Sequence, residues 1–180
     1  MAYTRAQMME SRAEGRKLTE ALAKGWRPEP VAVPMQLQRG ESCFASNSAQ
    51  IWQYLEGDGS YIHKSRGGFG LLGVAVVAGT AMGNSARKAR AAKEAAPRFR
   101  PIDQGQLFLT DRRFAFNGQA EWIDIWFDNI RMSSCDGTSI TLQISGAAPA
   151  QLHTWPIDYY FALFHYLSNG NIIQIPADAG

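Results

Sequence analysis

A chain of 180 residues that is 46% hydrophobic and 11% aromatic has enough apolar material for one domain with a sizeable core plus an extension, which excludes a disordered tail. Its formal net charge of +2 is small but unevenly spread: residues 1–40 carry +3, 41–63 carry −3, 64–100 carry +7 and 101–180 carry −5, so the basic character sits in one segment. Cys43 and Cys135 belong to no Cys-x-x-Cys or Cys/His spacing, which argues against a metal centre and for buried, reduced thiols in a cytoplasmic protein.

From Tyr3 to Lys24 strong helix formers place Met8, Met9, Leu18, Ala21 and Leu22 at near-helical spacing, broken only by Gly15. The polar, charged start lacks the apolar core of a secretory signal. Gly25 and the prolines at 28, 30 and 34 then stop the helix and set an extended linker, from which Trp26 and Val31 are available to dock on the domain surface. These signals divide the chain into an N-terminal helical extension (1–25), a proline-rich linker (26–34), a β-rich domain (35–170) with an insertion (65–100), and a C-terminal tail (171–180). A helix packed on its own domain, or fraying, is preferred to one that binds a partner. Met35 to Glu41 reads as a lead-in and turn, and Ser42 to Leu55 as one long or two short strands anchored by Phe44, Ile51 and Tyr54. Glu56 to Ser60 is a turn by composition, and Tyr61 to Lys64 the next strand, with His63 a partly exposed strand residue.

The insertion is the unusual part. From Gly67 to Ala86 twenty consecutive residues carry no charge and six are glycine. Gly79 and Gly83 stand at a small-x-x-x-small spacing, and Arg87, Lys88, Arg90 and Lys93 follow on an alanine-rich helical stretch that Pro97 ends. A single membrane crossing would place the strands on either side of it in different compartments, and twenty residues are too few for two helical passes of about 20 residues each. Three readings stay open: a shallow or re-entrant insertion, a glycine-rich helix packed on the domain or a sister subunit, or a buried connection.

Gly105 to Ile130 organises the fold. Leu107 and Leu109 alternate with polar or aromatic neighbours, Thr110 to Arg113 suits a type I turn, and Phe114 and Phe116 resume the alternation. Asn117-Gly118 suits a two-residue primed turn, after which Trp122, Asp124 and Trp126 run opposite Ile123, Ile125 and Phe127. The two tryptophans are expected to pack on the sheet rather than stack on a ligand. Asp136-Gly137 marks a turn, Ser139 to Ser145 a strand with Ile140, Leu142 and Ile144 on one face, and Gln151 to Trp155 the last strand. Pro156, Asp158 and an apolar face of Ile157, Tyr160, Phe161, Phe164 and Leu167 make a closing helix that Gly170 terminates.

The run G-Q-L-F-L-T-D-R-R-F-A-F-N-G, followed by a strand, F-D-N-I, D-G and a closing helix, resembles the bacterial PH-like and GRAM-type domains. The resemblance is close over Gly105 to Gly118 and loose over Pro34 to Asn169. It implies a mainly β, α+β fold: a bent antiparallel barrel or pair of orthogonal sheets capped by the C-terminal helix. It also implies binding, to lipid head groups or protein, without chemistry.

Motifs for chemistry are weak. Gly68-x-Gly70-x-x-Gly73 matches a dinucleotide fingerprint only as text, because no βαβ rhythm follows it. No nucleophile turn accompanies His153 or His165, and Asp158 and His165, two turns apart on the last helix, are given structural roles. The preferred reading is a non-enzymatic interaction module, without cofactor or metal, that binds a protein partner or itself. Its candidate contacts are Phe69, Leu71, Leu72, Val76, Gly79, Gly83, Arg87, Lys88, Arg90 and Lys93. The alternative is an amphitropic adaptor whose residues 67–93 meet anionic membrane lipid, which would add a peripheral membrane location to the cytoplasmic one. Aromatic interleaving is absent between Arg87 and Ala96, which argues against nucleic acid.

Overall fold

Alternation of apolar and polar side chains drives the central strands, and it continues on both sides of the region where it is plainest. Seven strands, β1 (Cys43–Leu55), β2 (Arg98–Thr110), β3 (Arg113–Gly118), β4 (Trp122–Trp126), β5 (Ile130–Cys135), β6 (Ile140–Ile144) and β7 (Ala150–Thr154), form one antiparallel sheet in the order β4-β3-β2-β1-β7-β6-β5. In this computed structural model, which describes residues 3–55 and 96–177, the sheet curls into a half-barrel. Among the described residues two α-helices, α1 (Arg5–Ala23) and α2 (Ile157–Asn169), complete a mainly β, α+β fold. The turn expected at Glu56–Ser60, the strand at Tyr61–Lys64 and the alanine-rich helix after Arg87 lie outside the described residues.

β1 is a single strand that serves both halves of the sheet. It pairs with β2 along its length, while Ala49–Gln53 also pair with β7. Its inward Ile51 joins Leu107, Phe114, Phe116, Leu152 and Leu163 in a buried core, each side chain contributing roughly 1.5–3 kcal/mol. β2 begins at Arg98, ahead of Gly105 where the alternation is plain in the sequence. Pro101 is tolerated there because β3 pairs only with Gly105–Leu109, leaving the preceding part of β2 without a ladder on that side. β5 shows no alternation in the sequence; it is an edge strand with a register shift between Ile130 and Met132, where a regular inward face is not imposed.

The first hairpin turns at Thr110–Arg113, where the buried Thr110 hydroxyl accepts the N–H groups of Arg112 and Arg113, each at 3.0 Å. The second departs from expectation. Asn117 pairs with Trp122, and Gly118 to Glu121 form a longer loop closed by Gly118 N–H donating to the Glu121 carbonyl at 3.0 Å. The reason is Asp103: its carboxylate accepts from the N–H groups of Gln119 (3.1 Å), Ala120 (3.0 Å) and Glu121 (3.4 Å), which stabilises the wider loop. Glycine is required at 118 because a Cβ would strike that carboxylate, not because of a left-handed backbone. Since the loop is exposed and water replaces lost acceptors, Asp103→Ala is expected to cost only about 1 kcal/mol, seen as a lower urea midpoint at unchanged slope.

α1 opens with a capping box: Thr4 Oγ1 accepts Gln7 N–H at 3.2 Å, and Gln7 Oε1 accepts Thr4 N–H at 2.9 Å. Gly15 does not break this helix. It is the point where α1 and α2 touch, and Ser11, Gly15, Leu18 and Leu22 form the buried face. Trp26 and Val31 do not dock, being 45% and 42% exposed. Val33, Met35 and Leu37 take that part, packing on the outer face of the sheet against Cys43, Phe108 and Ala115. α2 buries Ile157, Tyr160, Leu163 and Phe164, and ends where Gly170 adopts φ +72°.

Candidate interaction surface

The far end of the β1–β2 hairpin is built by register. Leu55 pairs with Arg98 and Tyr54 with Phe99, so the two strands arrive side by side at the root of the insertion. Tyr54, 40% exposed, meets Phe99 edge-on with ring centroids 5.3 Å apart. Because Ile51 faces the core, period-two alternation turns Trp52 outward. There it lies 4.9 Å from the His153 ring of β7, and its indole N–H donates to Gln50 Oε1 at 3.3 Å. Burial pushes the His153 pKa down, favouring a neutral ring. Arg98, the first residue of β2, is exposed at the same end of the hairpin, one residue before Phe99. The end of the hairpin thus gathers aromatic rings on the outer face of the sheet, a composition suited to binding another surface.

The candidate contacts Phe69, Leu71, Leu72, Val76, Gly79, Gly83, Arg87, Lys88, Arg90 and Lys93 all lie outside the described residues. What the structure adds is their attachment point, together with Trp52, Tyr54, Phe99 and His153, which the sequence did not single out as surface groups. Tyr54, expected with Ile51 as an anchor of the strand, stands on the opposite face from it, because residues three apart on a strand cannot share one side.

The buried polar groups serve structure. Arg113 donates to both Glu41 oxygens (2.8 and 3.0 Å) and to Asp124 Oδ1 (2.9 Å), and its guanidinium lies 4.7 Å from the Trp126 ring. Trp126 and Trp122 therefore pack on the outer face, Trp122 stacking at 6.2 Å on Phe108. Asp158 accepts the Ser11 hydroxyl at 2.7 Å, whereas His165 Nε2 lies 3.1 Å from Ser133 Oγ, so the two helix residues have separate partners. Burial pushes the Cys135 thiol up to about 12 and also raises Cys43, which keeps both thiols protonated. Among the described residues no group of three or more His, Cys, Asp and Glu is placed to hold a metal, and no helix is long and apolar enough to cross a membrane. No protein-family model matches the chain and no curated protein matches it significantly.

Proposed function

We propose that this chain is a non-enzymatic interaction module on a PH-like scaffold, binding a protein partner or a second copy of itself through the insertion and the hairpin end that carries it. The observation behind this reading is the outward aromatic group of Trp52, Tyr54 and Phe99 at the root of an apolar, glycine-rich segment. Supporting the PH-like scaffold are the strand order, in which β1 joins a four-stranded and a three-stranded half, and a helix that follows the last strand.

Because Leu55 and Arg98 are register partners, residues 56–97 can be replaced by a short glycine-serine turn without disturbing the sheet. The shortened chain is expected to unfold as cooperatively as the parent. Light scattering at micromolar concentration should show the parent above monomer mass, or complexed with its partner, and the shortened chain as a monomer that captures nothing. Equal mass and equal capture for the two chains would end this reading.

The adaptor reading draws on the exposed Tyr54 at the root of the segment that carries Arg87, Lys88, Arg90 and Lys93, because an amphipathic ring next to a basic segment also suits an anionic lipid surface. Flotation of the full chain with anionic liposomes, lost at high salt and in the shortened chain, is the outcome that would favour it over protein binding.

A further inference from the structure

Residues 31–37 lie on the sheet as a bound peptide would. Exposure alternates along them: Ala32, Pro34 and Gln36 face solvent, while Val33, Met35 and Leu37 turn toward the sheet. The patch beneath, Cys43, Phe108 and Ala115, is on the opposite face from the main core and forms a separate apolar cluster. Yet the segment joins no strand ladder. Pro28, Pro30 and Pro34 have no N–H to give, and its fastenings are at its ends. Val31 N–H donates to the Cys43 carbonyl at 2.7 Å, and the Gln38–Glu41 turn is held by Glu41 N–H to the Gln38 carbonyl (2.9 Å) and Gln38 N–H to Glu41 Oε2 (2.7 Å). Residues 29–32, leading into it, are exposed throughout.

We infer that the outer face of β1–β3 is a docking groove for an extended peptide presenting alternating apolar side chains, and that residues 31–37 fill it in cis as an exchangeable strap. Specificity comes from the spacing. A period of two matches the pleat of the sheet below, and the valine, methionine and leucine occupy the positions over Cys43, Phe108 and Ala115. The cis strap competes at high effective concentration, so an outside peptide enters when the strap is weakened or the peptide is abundant. This rests on the reading of the chain as an interaction module and assigns it a partner class. It is separable in experiment, because replacing residues 56–97 leaves the strap in place.

Cys43 lies under the strap with no solvent exposure and reports its opening. In full-length chain carrying Cys135→Ala, Cys43 is expected to react with a thiol reagent at a rate nearly independent of urea below the unfolding transition, the mark of local opening. Val33→Ser with Leu37→Ser should raise that rate about tenfold or more. An excess of a synthetic peptide of residues 29–38 should bring it back toward the parent rate. Two results would overturn the proposal: labelling of the parent that follows urea as steeply as global unfolding, or a rate in the double variant that the peptide leaves unchanged. The first decides the matter even where the double variant does not fold.

Discussion

Glu41→Leu is expected to lower the free energy of unfolding by about 3–5 kcal/mol, because it leaves a buried guanidinium without its main partner. The Glu41 side chain is fully buried and that of Arg113 is 7% exposed, so water cannot take the lost place. Arg113 would keep Asp124 Oδ1 at 2.9 Å and the face of Trp126. Adding Arg113→Met should recover much of the loss: the uncompensated charge is gone, and Asp124, 28% exposed, keeps water and the Trp122 indole N–H at 2.9 Å. Urea unfolding of both single variants and the double one gives the coupling; additive losses would mean that the pair does not act as a unit.

The same site shapes the acid response. Burial alone would raise the Glu41 pKa, but the Arg113 guanidinium, the Gln38 N–H and the Thr110 hydroxyl reverse that and hold it below its ordinary 4.5. Asp136 is held low in the same way, with Thr138 and Ser139 donors outweighing burial. A depressed carboxyl contributes stability that is complete above its unfolded pKa and is lost as pH falls through the folded value. His153 and His165 are depressed by burial, so their contribution is complete above their ordinary 6.5 and declines as pH falls through their folded values. Unfolding free energy should therefore descend in two stages, below about 6.5 and again below about 4.5, and Glu41→Leu should shrink only the second. A profile in which that variant loses the upper stage would contradict the assignment.

The parts of this fold that could be read in advance are those governed by local periodicity and turn chemistry. Leu107, Leu109, Phe114 and Phe116 alternate around a threonine-led turn, and both helices carry apolar stripes ending in glycine. What could not be read depends on contacts distant in sequence. The Gly118–Glu121 loop is set by a carboxylate on β2, many residues before it. Gly15 looks like a helix breaker until Asp158 is seen against it. The part of β2 before Gly105 is strand because β1 is long enough to pair with it. The candidate surface is in a similar position: the apolar and basic segment is plain in the sequence, but the aromatic residues at its root become a group only through the β1–β2 and β1–β7 registers.

Gly15→Val is expected to destabilise the chain by about 3 kcal/mol and to release α1. A Cβ at this position would stand 2.9 Å from the Asp158 Cβ and 3.1 Å from its carbonyl carbon and oxygen. Two of those three atoms are backbone in the first turn of α2 and cannot swing away, so the branched side chain has to lift one helix from the other. Lifting separates Ser11 from the Asp158 carboxylate, a 2.7 Å bond, and from the Asp158 N–H at 3.0 Å, while Leu18 and Leu22 lose their cover. Gly15→Ala meets the same contact with fewer atoms, and its gain in helix propensity, about 1 kcal/mol, offsets part of the strain. The end of α1 provides a direct readout, since trypsin should cut after Lys24 much faster once the helix is free. A second measurement separates loss of the helix–helix contact from general damage. Ser11→Ala alone should cost about 1–2 kcal/mol by depriving a buried carboxylate of a donor, but almost nothing on top of Gly15→Val, where the two groups are already apart. Full additivity of the two substitutions would show that α1 stays seated despite the valine, and that the close approach at Gly15 does not set the position of the N-terminal helix.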